Sequence, residues 1–197
     1  MEPGTVMVAL WLVWLAGWWL GALKSARTVT RESSGSQLSY SIFTWIGAAL
    51  LFFNAVRGGI FSAALYRSLP IVAWTGVGLV ALGLSYAVWA RVHLGRMWSA
   101  RVTLKTEHRI IKSGPYTITR HPIYTGILLA LVGTVLVRDT VAALIGFALI
   151  ATGFVLKLRQ EERMLTEHFG DDYRLYRQEV PALIPRPWLR RTTAFSA

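Results

Sequence analysis

The stretch Arg120–Gly126, RHPIYTG, sets a guanidinium, an imidazole and a phenol around a proline suited to the first position of a helix, where a missing N–H does no harm. Such a helix start presents unpaired N–H groups and the positive end of the helix dipole, which favour a carboxylate or phosphate. Arg120 could add a bidentate contact to the same anion, and His121 stands where a helix cap would. Further along, Glu161 and Glu162 within LRQEERMLTEHFG offer two carboxylates able to hold a cation. Brought together, these motifs would flank one interfacial cavity suited to a zwitterion. Each also has a plainer reading. Arg120 could snorkel to lipid headgroups, His121 could merely cap, Tyr116 and Tyr124 could be interfacial belt residues, and the glutamates could pair with Arg159 and Arg163 on a solvated turn.

What decides between these readings is the framework that positions the motifs. The chain has 197 residues, 54% of them hydrophobic, with nine Trp and a mean hydropathy of +0.45, a balance too apolar for an ordinary soluble domain. Apolar segments run from Thr5 to Leu23, Leu38 to Val56, Pro70 to Ala90, Pro122 to Val137 and Thr140 to Leu158, none with an acidic residue. Each is near the roughly 20 residues that a bilayer-spanning helix requires. The first is read as a span and not a signal peptide, because MEPGTV lacks a basic start and Lys24 interrupts the expected cleavage pattern. The expected fold is therefore all-α, an integral membrane protein with about five transmembrane helices.

Charge supplies the orientation. Of 21 Lys and Arg, three fall on the side of the N-terminus and 18 on the other, so the protein is expected N-out and C-in, with its basic face in the cytoplasm. The net charge of +11 follows the side of the membrane and not one base-reading element, which argues against nucleic acid as a partner. With no Cys there are no disulfides, thiolate metal sites or cysteine nucleophiles, and with four scattered His no metal site is expected.

The chain reads as one domain: three N-terminal spans over residues 1–90, an interfacial connection over 91–121, a transmembrane hairpin over 122–158 and a cytosolic tail over 159–197. The last two spans are joined by little more than Arg138 and Asp139, so they are expected to form a tight antiparallel hairpin whose open ends meet the cytosol together. That folding-back would make RHPIY and the paired glutamates neighbours. The connection is expected to lie on the membrane surface, partly as a short amphipathic helix and partly as loop. The tail from Gln160 to Glu179 reads as an amphipathic helix or helix pair broken near Gly170 and stopped by the prolines of VPALIPRP.

GPYTITRHPIYTG, a hairpin, and then EERMLTEHFGDDYRLYRQEVPALIP together resemble the isoprenylcysteine carboxyl methyltransferase family and its relatives among the phospholipid methyltransferases. The resemblance covers roughly His108 to Pro185 and not the first three spans. It implies S-adenosylmethionine as cofactor. It further implies cofactor contacts from His108, Arg109, Ile110 and Ile111, from Tyr116, from His121, Pro122, Ile123 and Tyr124 beside Arg120, and from Glu161 and Glu162 on the opposite side. The family's substrate-contacting arginine does not map cleanly. Lys157 falls on its register and Arg159 two residues later, and both are carried as catalytic candidates that would steer an anionic lipid head. Arg101 aligns loosely with a glutamine of the family, and Gly76-Val77-Gly78 could be the G-x-G of the phospholipid enzymes, although glycines in membrane helices more often permit close packing.

Elementary chemistry agrees with this. Methyl transfer from a sulfonium to a carboxylate annihilates two opposite charges, so a water-poor pocket favours it, and in-line displacement rewards positioning. A carboxylate nucleophile needs no base, whereas a phospholipid ammonium must first lose a proton, and no residue stands out as that base. The leading expectation is carboxyl O-methylation of a lipophilic, isoprenoid or prenylcysteine-like acceptor in a membrane of lipids. The alternatives are phosphatidylethanolamine-type N-methylation and a non-catalytic lipid-binding scaffold.

Overall fold

A computed structural model of the chain describes residues 1–22, 28–31, 34–53, 58–66, 69–95, 103–105 and 110–185. The first three apolar segments form helices α1 (Pro3–Ala22), α2 (Ser34–Phe53) and α3 (Pro70–Leu94). The last two form α4 (Pro122–Arg138) and α5 (Val141–Phe169), and a short α6 (Asp171–Glu179) follows. Pro70 and Pro122 open their helices, as a residue without an N–H can. Three helices are long and apolar enough to cross a membrane, namely Pro3–Gly21, Pro70–Leu94 and Val141–Phe169, while Gln37–Phe53 and Pro122–Arg138 are apolar but shorter. Large apolar side chains such as Leu12, Trp19, Trp45, Phe53, Ile71 and Val92 face outward, as expected where the solvent is lipid.

Helix packing differs from a simple hairpin. Among the described residues α4 lies chiefly along α3, and α5 along α2, so the arms of the α4–α5 hairpin are held more by these partners than by each other. Glycines set the close approaches. A Cβ on Gly83 would come within 2.4 Å of the Gly126 carbonyl oxygen, one on Gly76 within 2.6 Å of that of Gly133, and one on Gly47 within 2.6 Å of that of Gly146. Without a strong hydrophobic drive between helices in lipid, such backbone contact is what fixes their partners. Gly76 therefore belongs to the α3–α4 seam, and a Cβ on Gly78 would meet nothing within 4 Å, so the G-x-G is a helix surface and not a ligand loop. A core of Met7, Trp11, Leu51, Val80, Leu131 and Ile150 lies between the two pairs, where the Trp11 indole N–H donates to the Thr134 hydroxyl at 3.0 Å.

The turn between α4 and α5 is tight, as expected. Asp139 adopts a left-handed conformation (φ 48°), its carboxylate accepts from the backbone N–H groups of Leu65 and Tyr66 at 3.1 Å, and the Thr140 hydroxyl caps α5 through the Ala143 N–H. The chain is not entirely helical, however. Strands β1 (Thr28–Arg31) and β2 (Thr103–Lys105) pair antiparallel, with Thr30 opposite Leu104 and an irregularity between Thr28 and Thr30. Thr-rich segments suit extended backbone, and two connections emerging on one side can satisfy each other's peptide groups there. The amphipathic helix expected in residues 91–121 is not found among the described residues, where this strand and a 3₁₀ turn at Gly114–Thr117 stand instead. Nor does the hairpin end at Leu158, because α5 continues without a breaker to Phe169, and Gly170 (φ +57°) turns the chain into α6.

Candidate functional site

The C-terminal half of α5 carries Glu161 and Glu162 past the start of α4, and α6 folds back over both. Glu162 is buried and receives the Arg120 side chain on one oxygen, with Nε at 2.8 Å and Nη2 at 2.6 Å. His121 Nε2 lies 3.2 Å from the same oxygen, and Arg177 Nε lies 3.4 Å from the other. Both side chains of the Arg120–Glu162 pair are under one-tenth exposed, so the pair is desolvated and its geometry tightly specified.

Arg120 does more than pair. Its Nη1 donates to the carbonyls of Arg177 (3.0 Å) and Val180, and the backbone around it is bound to the segment after α6. The Arg120 N–H donates to the Pro181 carbonyl at 2.8 Å and the His121 N–H to that of Ala182 at 3.0 Å, while the Thr125 hydroxyl donates to Leu183 at 2.8 Å. The proline-rich tail therefore occupies polar groups at the start of α4 that the sequence would offer to an anion. Arg120 works as a clasp across α4, α5 and the tail, and its expected bidentate contact with a ligand is replaced by an internal one. His121 occupies the N-cap position but makes no side-chain cap; its ring turns to the glutamates.

Glu161 differs from its neighbour. Its side chain is 31% exposed, it accepts from the Tyr124 hydroxyl at 3.0 Å, and His121 Nδ1 lies 3.8 Å away. The His121 and Tyr124 rings stack with centroids 5.7 Å apart and planes 23° from parallel, and Tyr124 in turn meets Phe154 of α5 at 5.1 Å. The Lys157 ammonium, one turn before Glu161, lies 5.7 Å from the Tyr124 ring centroid and 5.6 Å from that of Tyr40 on α2. Arg159 is exposed. Pro122 is buried as the hinge between clasp and helix, and Ile123 is half-buried.

Tyr116 is buried beneath α6. Its hydroxyl reaches the Ala90 carbonyl of α3 at 3.4 Å, and its own carbonyl accepts from the Tyr176 hydroxyl at 2.7 Å. Ile110 and Ile111 are half-buried on the approach to this turn; His108, Arg109 and Arg101 lie outside the described residues. Burial, first of all, pushes the phenols of Tyr116, Tyr173 and Tyr176 well above their ordinary range, with Glu161 or Glu162 adding to it, so they stay neutral near neutral pH, and the hydroxyls of Tyr116 and Tyr176 donate. Tyr40, Tyr173, Tyr176 and Arg177 were not among the sequence candidates. The Tyr173–Tyr176 spacing of three on a polar helix was the available signal for α6 docking, whereas nothing in the sequence linked Tyr40 to Lys157.

The part of this geometry that α4 and α5 supply lies in a stretch with known relatives. Residues 76–167 match the model of the isoprenylcysteine carboxyl methyltransferase family. The likeness to that family is carried by this segment, a little under half of the chain. Protein-S-isoprenylcysteine O-methyltransferase B of Arabidopsis thaliana is 31% identical over 113 residues, covering 56% of this chain and 57% of the relative. Methanethiol S-methyltransferase 2 of Bradyrhizobium diazoefficiens is 43% identical over 79 residues, 40% of this chain and 29% of the relative. The solved structure of the eukaryotic intramembrane Ras methyltransferase shares the fold, with a TM-score of 0.50 at 21% identity over 80% of this chain and 54% of that one. The chain thus spans a little over half the length of the isoprenylcysteine relative. Within the family segment stand His121, Tyr124, Lys157, Glu161 and Glu162; Tyr173, Tyr176 and the tail that clasps Arg120 lie beyond it.

Proposed function

We propose that the chain is an integral-membrane methyltransferase that uses S-adenosylmethionine to methylate a lipophilic acceptor, with carboxyl O-methylation of an isoprenoid or prenylcysteine-like molecule as the leading reaction. The observation that carries this reading is the meeting of His121, Tyr124 and Glu161 across the α4–α5 hairpin inside the family segment. Five helices cross the bilayer, with the N-terminus outside and this site on the cytoplasmic face, where 18 of the 21 Lys and Arg fall. The shorter α2 and α4 span by local thinning of the bilayer around their longer partners.

The residues fit a cationic, zwitterionic cofactor. Glu161 has one described hydrogen-bond donor, Tyr124, and a carboxylate has room for several, so it can accept from an ammonium or stabilise a sulfonium. The stacked His121 and Tyr124 rings offer faces for a flat base or a soft cation. S-adenosylmethionine, when bound, supplies a methyl group made electrophilic by its sulfonium. Glu162 is the more committed of the two carboxylates, because Arg120 and His121 share its Oε1 and Arg177 Nε lies 3.4 Å from its other oxygen. It holds His121 in place, which makes it a positioning residue. Lys157, held between Tyr40 and Tyr124 at the edge of the apolar part of α5, is placed to orient an anionic acceptor head whose tail lies in the bilayer.

Acceptor chemistry turns on proton removal, for which the phenols are unsuited and only Glu161 or water could serve. The buried phenols around the site stay protonated, so an ammonium acceptor finds no strong proton acceptor among them, whereas a carboxylate needs none. A thiol acceptor is a second reading, favoured by the 43% identity to the methanethiol enzyme. The test is incubation of the full chain with methyl-labelled S-adenosylmethionine and a total lipid extract. Label in a base-labile ester is expected; label only in a base-stable methylamine or a volatile thioether would overturn O-methylation, and no transfer to any acceptor would overturn the enzyme.

A further inference from the structure

On the opposite face of α3 from the site, α1 and α3 enclose a groove of about 700 Å³. Leu10, Trp14, Leu84 and Val88 make most of it apolar, and among the lining residues Arg91 carries the one charge. This face is separate from the catalytic layer. Gly83, Ala87 and Ala90 turn towards α4 and Tyr116, while Ser85, Val88, Arg91 and Val92 turn into the groove.

Its length matches one leaflet. The α3 lining begins at Ala81, beside the middle of the helix, and ends at Gly95, a rise of about 21 Å. Half of a bilayer including its headgroups is also about 20–22 Å, and half of its hydrocarbon core about 15 Å. Arg91 stands about 15 Å along the helix from Ala81, so its guanidinium falls at the depth where lipid phosphates begin. Its position is set by α1. The guanidinium lies 4.1 Å from the Trp18 ring centroid, and Gly21 admits it, since a Cβ there would come within 3.1 Å of Nη2. A planar guanidinium braced in this way suits the paired oxygens of a phosphate.

We infer that the α1–α3 groove holds an anionic phospholipid of the cytoplasmic leaflet, one acyl chain along Leu10, Trp14, Leu84 and Val88 and its phosphate on Arg91. The groove binds this lipid as a resident ligand and does not receive the methyl acceptor. The site stands whether or not the chain is a methyltransferase, because none of its residues belongs to the proposed catalytic layer.

The test is native mass spectrometry of the detergent-purified full chain with equimolar phosphatidylglycerol and phosphatidylcholine of matched acyl chains. One phosphatidylglycerol adduct should dominate by fivefold or more. Arg91→Gln should bring that ratio near unity, whereas Arg163→Gln, which removes an exposed charge on α5 outside the groove, should leave it in place. Gly17 lines the groove and a Cβ on it meets nothing within 4 Å, so Gly17→Leu should fold and remove the adduct of either lipid. Equal adducts in the wild type, a preference that survives Arg91→Gln, or an adduct that survives Gly17→Leu would each overturn the inference. Displacement of the lipid by equimolar N-acetyl-S-farnesylcysteine would also overturn it, by giving the groove to the acceptor.

Discussion

Removing the Glu162 carboxylate should release the tail from the start of α4. In Glu162→Ala, Arg120 loses its two short hydrogen bonds to Oε1, yet its surroundings still exclude water, since both partners are under one-tenth exposed. Breaking a buried ion pair from one side costs about 3–5 kcal/mol, because the remaining charge is left desolvated. The Arg177 contact adds little, with that side chain 45% exposed and the distance 3.4 Å. The cheapest relief is for Arg120 to swing into water, which gives up its bonds to the Arg177 and Val180 carbonyls and undocks residues 180–183. At about 1.4 kcal/mol per tenfold, the opening equilibrium should rise by about two to three and a half orders of magnitude. Hydrogen exchange reads this directly, because the Arg120 and His121 amides are bonded to Pro181 and Ala182 only while the tail is docked. Both amides should exchange faster by that factor in Glu162→Ala, while those within α3 stay slow. Replacing both partners, in Arg120→Met/Glu162→Met, should recover much of the loss. If the two amides exchange at the wild-type rate in Glu162→Ala, the clasp is not what holds the tail.

Two further outcomes follow from the packing and the site. Gly83→Ala drives a Cβ into the Gly126 carbonyl and should destabilise the bundle by about 1–3 kcal/mol, whereas Gly78→Ala, with open space around it, should be neutral or stabilise by up to about 1 kcal/mol; thermal unfolding in detergent compares them. Lys157→Met should lower kcat/KM for an anionic acceptor by about tenfold or more, consistent with loss of one charge-assisted contact, while Arg159→Ala should change it less than twofold, and steady-state kinetics would reverse the assignment if the order were opposite.

Much of the architecture was written in the apolar runs. Pro122 and Pro70 marked their helix starts, Gly170 marked the break before α6, and the two-residue Arg138–Asp139 link forced the chain back across the bundle. Helix pairing was not legible in this way. Gly83 and Gly126, or Gly47 and Gly146, look like any other glycines until the backbone brings them face to face, because small residues are common along membrane helices for several reasons. The site was legible as a set of residues and not as a division of labour. Two adjacent glutamates on a helix point about 100° apart, so Glu162 turns inward to Arg120 while Glu161 stays near the surface beside Tyr124. Which of the two turned inward depended on the docking of α6, set by Tyr173 and Tyr176. The strand pairing of Thr28–Arg31 with Thr103–Lys105 was missed because each run is too short to show a period of two, and only their shared side of the bundle brings them together.

Isothermal titration of S-adenosylmethionine into the detergent-purified full chain and its Glu161→Gln variant tests whether the mouth of the α4–α5 hairpin holds the methyl donor. Saturable binding at one site per chain is expected, weakened tenfold or more when the carboxylate facing His121 and Tyr124 becomes an amide that cannot hold a cation. Absence of binding by the wild type, or equal affinity in the variant, would contradict the assignment of this hairpin mouth as the methyl-donor site.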